Sequence, residues 1–197
     1  MPDSSFKPSS KLSVKAHFFR LRFGAALGVA VLTLGLGATQ LKAATEQPLL
    51  ADETSFDCLT TMTAVRGFFV DNLLGNLDAT LAVANSADGG LYPTGSVVQL
   101  VPTEVMVKQA PGTSPVTNDW EFFELQVSET GSSIVSRGFT DVINRFGGNC
   151  FGCHVKAEPK WDFVCETGHG CDPLAFTREV IEGVQNSDPR CKAPEEV

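Results

Sequence analysis

The spacing of apolar residues predicts a helix at the start of the folded region and a strand after it. Between residues 54 and 78 the apolar side chains recur at steps of three or four, as on one face of a helix. These side chains are Phe56, Leu59, Met62, Val65, Phe69 and Leu73. The next apolar run, at residues 80–84, is short and predicts a strand.

Four later segments predict strands, and they lie at residues 96–101, 104–108, 120–127 and 133–136. Residues 120–127 are rich in aromatic side chains and are bounded by turn residues. A Glu129-Thr130-Gly131 turn allows residues 133–136 to pair back with them. Residues 139–146 predict a short helix, and residues 155–197 predict a loop-rich remainder.

The first 43 residues have the layout of a secretory signal peptide. A basic start is followed by an apolar, uncharged run at residues 23–37 and by Leu41-Lys42-Ala43, which suits a signal peptidase. About 15 apolar residues are fewer than the roughly 20 that a spanning helix needs. We therefore expect residues 1–43 to be a signal peptide, residues 44–197 to be the mature domain, and the protein to be periplasmic. An uncleaved N-terminal anchor is the alternative.

Removal of residues 1–43 makes the chain strongly acidic. The mature part keeps nine Lys and Arg against 22 Asp and Glu, a net charge of −13. Nucleic acids and anionic membranes are poor partners for such a surface. We expect no membrane association after signal cleavage. The charge suits a basic redox partner, but a solvated acidic surface without such a partner is the favoured interpretation.

Six cysteines lie in the mature part, and two of them belong to a haem-attachment pattern. The run Cys150-Phe151-Gly152-Cys153-His154 places two thiols three residues apart, at a spacing that reaches both vinyl groups of a haem. His154 then follows as the axial ligand of the iron. A zinc half-site and a redox-active disulfide are the alternatives. We expect one covalently bound haem c.

The other four cysteines predict two disulfides, because an exported chain folds in an oxidising space. Cys165 and Cys171 enclose a short loop with two glycines, which favours a local disulfide. Cys58 and Cys191 then join the start of the domain to its end. The other two pairings of these four cysteines remain open.

The order of the elements distinguishes this chain from small helical cytochromes, whose haem motif lies near the N-terminus. Here the motif follows about 100 residues of mainly strand-forming chain. We therefore expect an α+β fold, mainly an antiparallel β-sheet with flanking helices that pack on one covalently bound haem. Trp120, Phe122, Phe123 and Leu125 are candidates for the wall against the haem, or for ordinary core.

Four stretches resemble the cytochrome P-460 family and its relatives, the β-sheet cytochromes c-prime. They are residues 92–98 with a Tyr-Pro-x-Gly turn, residues 120–123 with Thr130-Gly131, the haem motif at 150–154, and Trp161-Asp162-Phe163-Val164. The resemblance implies a five-coordinate haem, with His154 below the iron and an open distal side. Family members oxidise hydroxylamine, handle nitric oxide or bind small gases, and related cytochromes often form homodimers through sheet edges.

The resemblance also implies a lysine cross-linked to the haem in some members, on the strand after the Pro-x-Gly turn. Gln99 and Leu100 stand there in this chain. Lys108 is the next lysine, and we expect it at the surface. The departure argues against the cross-link and against hydroxylamine oxidation.

The function expected is therefore binding or conversion of a small nitrogen oxide or related molecule, of the nitric oxide and hydroxylamine class. Glu104, Glu121 and Glu124 are candidate proton donors if one of them faces the haem, although surface positions are expected for all three. The sequence identifies no catalytic residue.

The alternative is an electron-transfer cytochrome without a substrate, in which a sixth ligand closes the iron. His169 is the first candidate for that ligand, and Met62 and Met106 follow. A subunit role in a larger redox complex is a third reading.

Overall fold

Six antiparallel strands in sequential order form one sheet in the computed structural model, which describes residues 49–191. The strands are β1 (Thr63–Val65), β2 (Phe68–Asn72), β3 (Ser96–Val101), β4 (Glu104–Lys108), β5 (Trp120–Ser128) and β6 (Gly131–Gly138). The helices are α1 (Leu77–Ala84), α2 (Cys150–His154) and α3 (Arg178–Asn186). This arrangement confirms the α+β class and the mainly antiparallel sheet. The predicted signal peptide at residues 1–43 lies outside the described residues.

The later strands agree with their predictions. β3 and β4 have the expected bounds, and β5 is one residue longer than expected. β6 is longer at both ends than the predicted residues 133–136, and it pairs with β5 across the predicted turn.

The helix predicted for residues 54–78 is wrong. The structure has two short 3₁₀ turns, at Glu53–Ser55 and Leu59–Thr61, and then the β1–β2 hairpin. Arg66 has a φ of 51° in the tight turn between these strands. In β2 every second residue is buried, beginning with Phe68, which is the pattern of a strand. The apolar steps of three and four residues therefore did not reflect a helix.

Three further expectations need correction. Residues 80–84 belong to α1, where the buried Thr80 shares a hydrogen bond with Ser96 on β3 (2.8 Å). Residues 139–146 are not a helix, because Asn144 Oδ1 accepts the backbone N–H groups of Phe146 and Gly148 and fixes a loop. The loop-rich region contains α3, in which Ile181 and Gln185 are the buried residues.

Both faces of the sheet are covered. We call the face with Val98, Met106 and Phe122 the motif face, because Cys150 and Phe151 pack against its core. The face with Val97, Val107 and Phe123 is the opposite face. The motif-face core also contains Val65, Phe68, Val70, Ala84, Tyr92, Trp120, Val142 and Val164. The core of the opposite face includes Ala51, Phe56, Val105 and Leu125.

Two disulfides connect the four cysteines outside the haem motif. Cys58 is bonded to Cys191 and Cys165 to Cys171, which is the pairing favoured by the sequence. Cys150 and Cys153 are free of disulfides.

The chain that precedes β1 packs beside β6 on the opposite face. The guanidinium of Arg137 donates to the carbonyl oxygen of Ala51 (2.7 Å), and the hydroxyl of Ser132 donates to that of Phe56 (2.7 Å). The other edge strand, β1, has three residues. Within residues 49–191, no helix has both the length and the apolar character needed to cross a membrane.

The two disulfides should contribute unequally to stability. Cys58 and Cys191 are 133 residues apart, whereas Cys165 and Cys171 are 6 apart. Loop-closure entropy predicts a loss of about 5 kcal/mol when both Cys58 and Cys191 are changed to Ala, against about 2 kcal/mol for the Cys165→Ala/Cys171→Ala variant. Urea unfolding of the two double variants and the parent measures this difference. An equal or larger loss from the short loop would contradict it.

Candidate functional site

The haem motif forms a single helical turn that begins at an asparagine cap. Asn149 Oδ1 accepts the backbone N–H of Gly152 (2.6 Å), and α2 runs from Cys150 to His154. Cys150 is partly buried and Cys153 is exposed. The two unpaired thiols are therefore presented one turn apart at the start of a helix, next to the motif face.

The imidazole of His154 is held in one tautomer. Its Nδ1 lies 2.7 Å from the carbonyl oxygen of Phe163. A carbonyl can only accept a hydrogen bond, so Nδ1 carries the proton and Nε2 keeps its lone pair. Burial lowers the pKa of His154, which favours the neutral ring. The ring of Phe122 lies beside it, with 5.2 Å between the ring centroids.

Asp162, the residue before Phe163, makes four hydrogen bonds through its carboxylate. The carboxylate of Asp162 accepts the backbone N–H of Tyr92 (2.8 Å), and both of its oxygens lie 2.8 Å from Lys108 Nζ. It also accepts the side-chain amide of Asn118. Asp162 and Phe163 both adopt the left-handed backbone conformation, with φ values of 49° and 65°.

Aromatic side chains contact Asp162 and Phe163 on two sides. Trp120 Nε1 donates to the carbonyl oxygen of Asp162 (2.7 Å), and the Tyr92 ring meets the edge of Trp120 at 5.4 Å. The Phe163 ring stacks on Phe151, inside the haem motif, with 6.2 Å between centroids. The turn at residues 92–95, the start of β5 and the segment after the motif are therefore joined in one network.

Lys108 is not a surface residue, contrary to expectation. It is 7% exposed, and its ammonium is surrounded by Asp162 and the Asn118 carbonyl oxygen (2.6 Å). Burial lowers the pKa of Lys108, and the carboxylate of Asp162 acts in the opposite direction. Sequence reasoning missed this ion pair because nothing near Lys108 in the sequence identifies a partner 54 residues away.

The surface positions expected for the three glutamates are also wrong. Glu121 and Glu124 are buried, and Glu104 is partly buried. Glu121 binds Arg137 (2.7 Å) and Gln109 (2.7 Å), and the Arg137 guanidinium lies over Phe123 of the opposite face. Glu121 is therefore placed away from the haem motif.

Glu104 and Glu124 are direct partners across β4 and β5, and they lie close to the haem motif. Glu124 Oε1 accepts Arg145 Nε (2.9 Å), whereas the buried Oε2 has no hydrogen-bond partner within the described part of the chain. Burial, and then the charges of these two glutamates, raises the pKa of the Cys150 thiol to about 12. A thiolate at Cys150 is therefore strongly disfavoured.

The candidate sixth ligands occupy different environments. The His169 ring is stacked on Trp161 at 3.8 Å, its Nδ1 lies 2.7 Å from the Val164 carbonyl oxygen, and its Nε2 lies 3.8 Å from Glu166. Met62 packs against the core of the opposite face. Met106 is buried in the core of the motif face, with Cys150 and Phe151 packed against that core.

The roles of two residues of this site were missed by sequence reasoning. Asn149 stands directly before the motif and is a strong capping residue, so the signal for its role was present. Asp162 lies in one of the stretches that resemble the family, but its role was not predicted, because its partners come from three separate segments.

Comparison of the chain with models of protein families, with curated proteins and with solved structures gave no match. The family resemblance therefore stays a prediction.

Replacement of Glu104 by Gln should stabilise the protein at neutral pH. Burial, and then the charge of Glu124, raises the pKa of Glu104 above its ordinary value of 4.5. The folded state thus holds this proton more tightly than the unfolded state, and the stability of the parent falls as pH rises through the raised pKa. Glu104→Gln should match the parent at acid pH and exceed it at pH 7.5, as measured by urea unfolding.

The exposed Glu53→Gln is the matched control and should differ little from the parent at either pH. A Glu104→Gln protein that loses stability relative to the parent as pH rises would contradict the prediction.

Proposed function

We propose that this chain is a mono-haem c-type protein that binds or converts a small nitrogen oxide or a related small molecule at the iron. In this proposal Cys150 and Cys153 would hold the haem through thioether bonds, and Nε2 of His154 would bind the iron. The observation that carries it is the fixed tautomer of His154, beside two free thiols one helical turn apart. Metal-binding histidines commonly donate their other ring N–H to a carbonyl in this way.

The environment of Cys150 favours haem attachment over the two alternatives. Zinc ligation and disulfide exchange both need a thiolate. Burial and the nearby Glu104 and Glu124 oppose that charge at Cys150. A thioether carries no charge, so it is compatible with the same surroundings.

The residues of the chain then have separate roles. A bound haem would supply an iron with a coordination position for a small gaseous or nitrogenous ligand. His154 would hold the iron, and the Phe163 carbonyl orients the ring. The apolar side chains of the motif face, among them Val98 and Phe122, exclude water from this side of the sheet.

The positions of the lysines support ligand binding rather than hydroxylamine oxidation through a lysine–haem cross-link. Leu100 packs against the motif-face core at the position where the resemblance would place the lysine, and Gln99 lies among residues of the opposite face. The ammonium of Lys108 forms an ion pair with Asp162.

Electron transfer through a six-coordinate iron is the second candidate, and Met106 is the observation that favours it. This thioether is buried on the motif face, whereas both ring nitrogens of His169 have neighbours of their own. Met106 therefore replaces His169 as the first sixth ligand to test.

Covalent attachment should depend on the two thiols, and ligation on His154. We expect the Cys150→Ala/Cys153→Ala protein to lose its haem on acid–acetone extraction. The His154→Ala protein should keep the haem but change its absorption spectrum. The Cys165→Ala/Cys171→Ala protein is the control for loss of two cysteines and should retain the haem. Haem that resists extraction from the Cys150/Cys153 variant would contradict the attachment.

An absorption spectrum of the exported protein tests the open coordination position. We expect a broad, high-spin ferrous spectrum that shifts when carbon monoxide or nitric oxide is added. Sharp low-spin bands that ignore both gases would reject the open site and support electron transfer. In that case Met106→Leu should convert the spectrum to the high-spin form.

A further inference from the structure

The backbone that contacts His154 adopts a conformation that needs external support. Asp162 and Phe163 are consecutive non-glycine residues with positive φ. Such residues are unfavourable by themselves and persist where surrounding contacts hold them. The contact that they deliver is the 2.7 Å hydrogen bond from His154 Nδ1 to the Phe163 carbonyl oxygen.

The support comes from a buried ion pair. The side chains of Lys108 and Asp162 are 8% and 0% exposed, and Lys108 Nζ lies 2.8 Å from each carboxylate oxygen. Lys108 is the last residue of β4, a strand in the middle of the sheet. Its carbonyl oxygen also accepts the backbone N–H of Gly95 (2.8 Å), which ties the turn before β3 to the same point.

Asp162 is thus fixed to rigid elements on every side. Its carboxylate accepts the Tyr92 N–H, and its carbonyl oxygen accepts Trp120 Nε1. The next peptide group has little freedom to rotate, because Phe163 also stacks on Phe151. The position of the Phe163 carbonyl therefore depends on the Lys108–Asp162 pair.

We propose that Lys108 and Asp162 are positioning residues for the axial histidine. Through the Phe163 carbonyl they keep the proton on Nδ1 of His154 and keep Nε2 available and correctly aimed at the iron. This inference rests on the proposed haem ligation and adds residues that touch neither the haem motif nor the iron.

The test compares the exported protein with two single variants. Lys108→Met removes the ammonium and leaves Asp162 as an unpaired buried anion. Asp162→Asn keeps the shape of the side chain and its tolerance of the left-handed conformation. Asp162→Asn is the milder of the two changes, because the buried Lys108 that it leaves unpaired can lose its proton and become neutral. It serves if Lys108→Met does not fold.

Two spectroscopic readouts report on His154 itself. Resonance Raman of the ferrous protein measures the iron–histidine stretching band. Nitrogen-15 NMR of labelled histidine in the haem-free Cys150→Ala/Cys153→Ala background, where no iron occupies Nε2, measures which ring nitrogen of His154 is protonated. Loss of contacts that orient a ligand weakens metal binding by about 10–100-fold. We therefore expect a weaker iron–histidine band at lower frequency, and a mixture of tautomers in place of one.

The double variant Lys108→Met/Asp162→Asn tests for rescue. The pair is then neutral, and the amide oxygen introduced by Asp162→Asn can still accept the Tyr92 N–H. The band and the tautomer should therefore return towards those of the parent. A general loss of stability would not be reversed at His154 in this way.

The buried pair Arg190–Asp188 is a matched control. Its side chains are 1% and 0% exposed, and Asp188 accepts the backbone N–H of Leu59 (2.9 Å), much as Asp162 accepts that of Tyr92. Asp188→Asn should lower the unfolding temperature without changing the iron–histidine band or the tautomer.

The proposal is overturned if both single variants keep the parental band and tautomer, or if Asp188→Asn changes them equally. If the purified protein has no haem, the proposed function fails. The NMR measurement on that haem-free protein then still decides whether the Lys108–Asp162 pair controls the His154 tautomer.

Discussion

The structure depends on the buried contact between Lys108 and Asp162. Two charges out of water are tolerated only when they meet at good geometry and their remaining hydrogen-bonding capacity is used. Here the ammonium has three oxygen partners, and the carboxylate takes further donors from Tyr92 and Asn118. Removal of one partner from such a pair typically costs about 3–5 kcal/mol. The contact therefore fixes which parts of the chain meet, since any other arrangement would leave a charge unpaired.

The two faces of the sheet have different roles, because one belongs to the scaffold and the other carries the candidate site. The opposite face is covered by the first residues of the domain, and its buried Glu121 is neutralised by Arg137. The motif face receives the CFGCH turn, and it brings Glu104 and Glu124 near one of the two thiols. Because side chains alternate along a strand, neighbouring residues of β5 such as Glu121 and Phe122 serve different faces. One strand thus supports both the scaffold and the candidate site.

Local patterns predicted much of this arrangement, and contacts between distant segments account for most of what they did not predict. β3 to β6 could be predicted because aromatic and β-branched runs lay between turn residues. The disulfide pairing could be predicted from the lengths of the loops that the cysteines close. The β1–β2 hairpin was mistaken for a helix because six apolar residues happened to match a helical spacing. Lys108, Glu121 and Glu124 were expected at the surface because charged residues usually lie there. Their burial depends on Asp162, Arg137 and Arg145, which adjoin them only in the folded chain.

The way in which the sheet ends limits how two copies of this chain can associate. An exposed edge strand invites another strand to pair with it, in a dimer or in an aggregate. At β6 the side chains of Ser132 and Arg137 bind backbone carbonyls of residues 51–56 on the opposite face, and within the described residues this segment makes no backbone hydrogen bond to the strand edge. At the other edge β1 has three residues, too few for an extended ladder. A homodimer built by extending the sheet across two molecules would thus pair along the eight-residue β6 and leave residues 51–56 in place, whereas association through side-chain surfaces would leave both edges as they are.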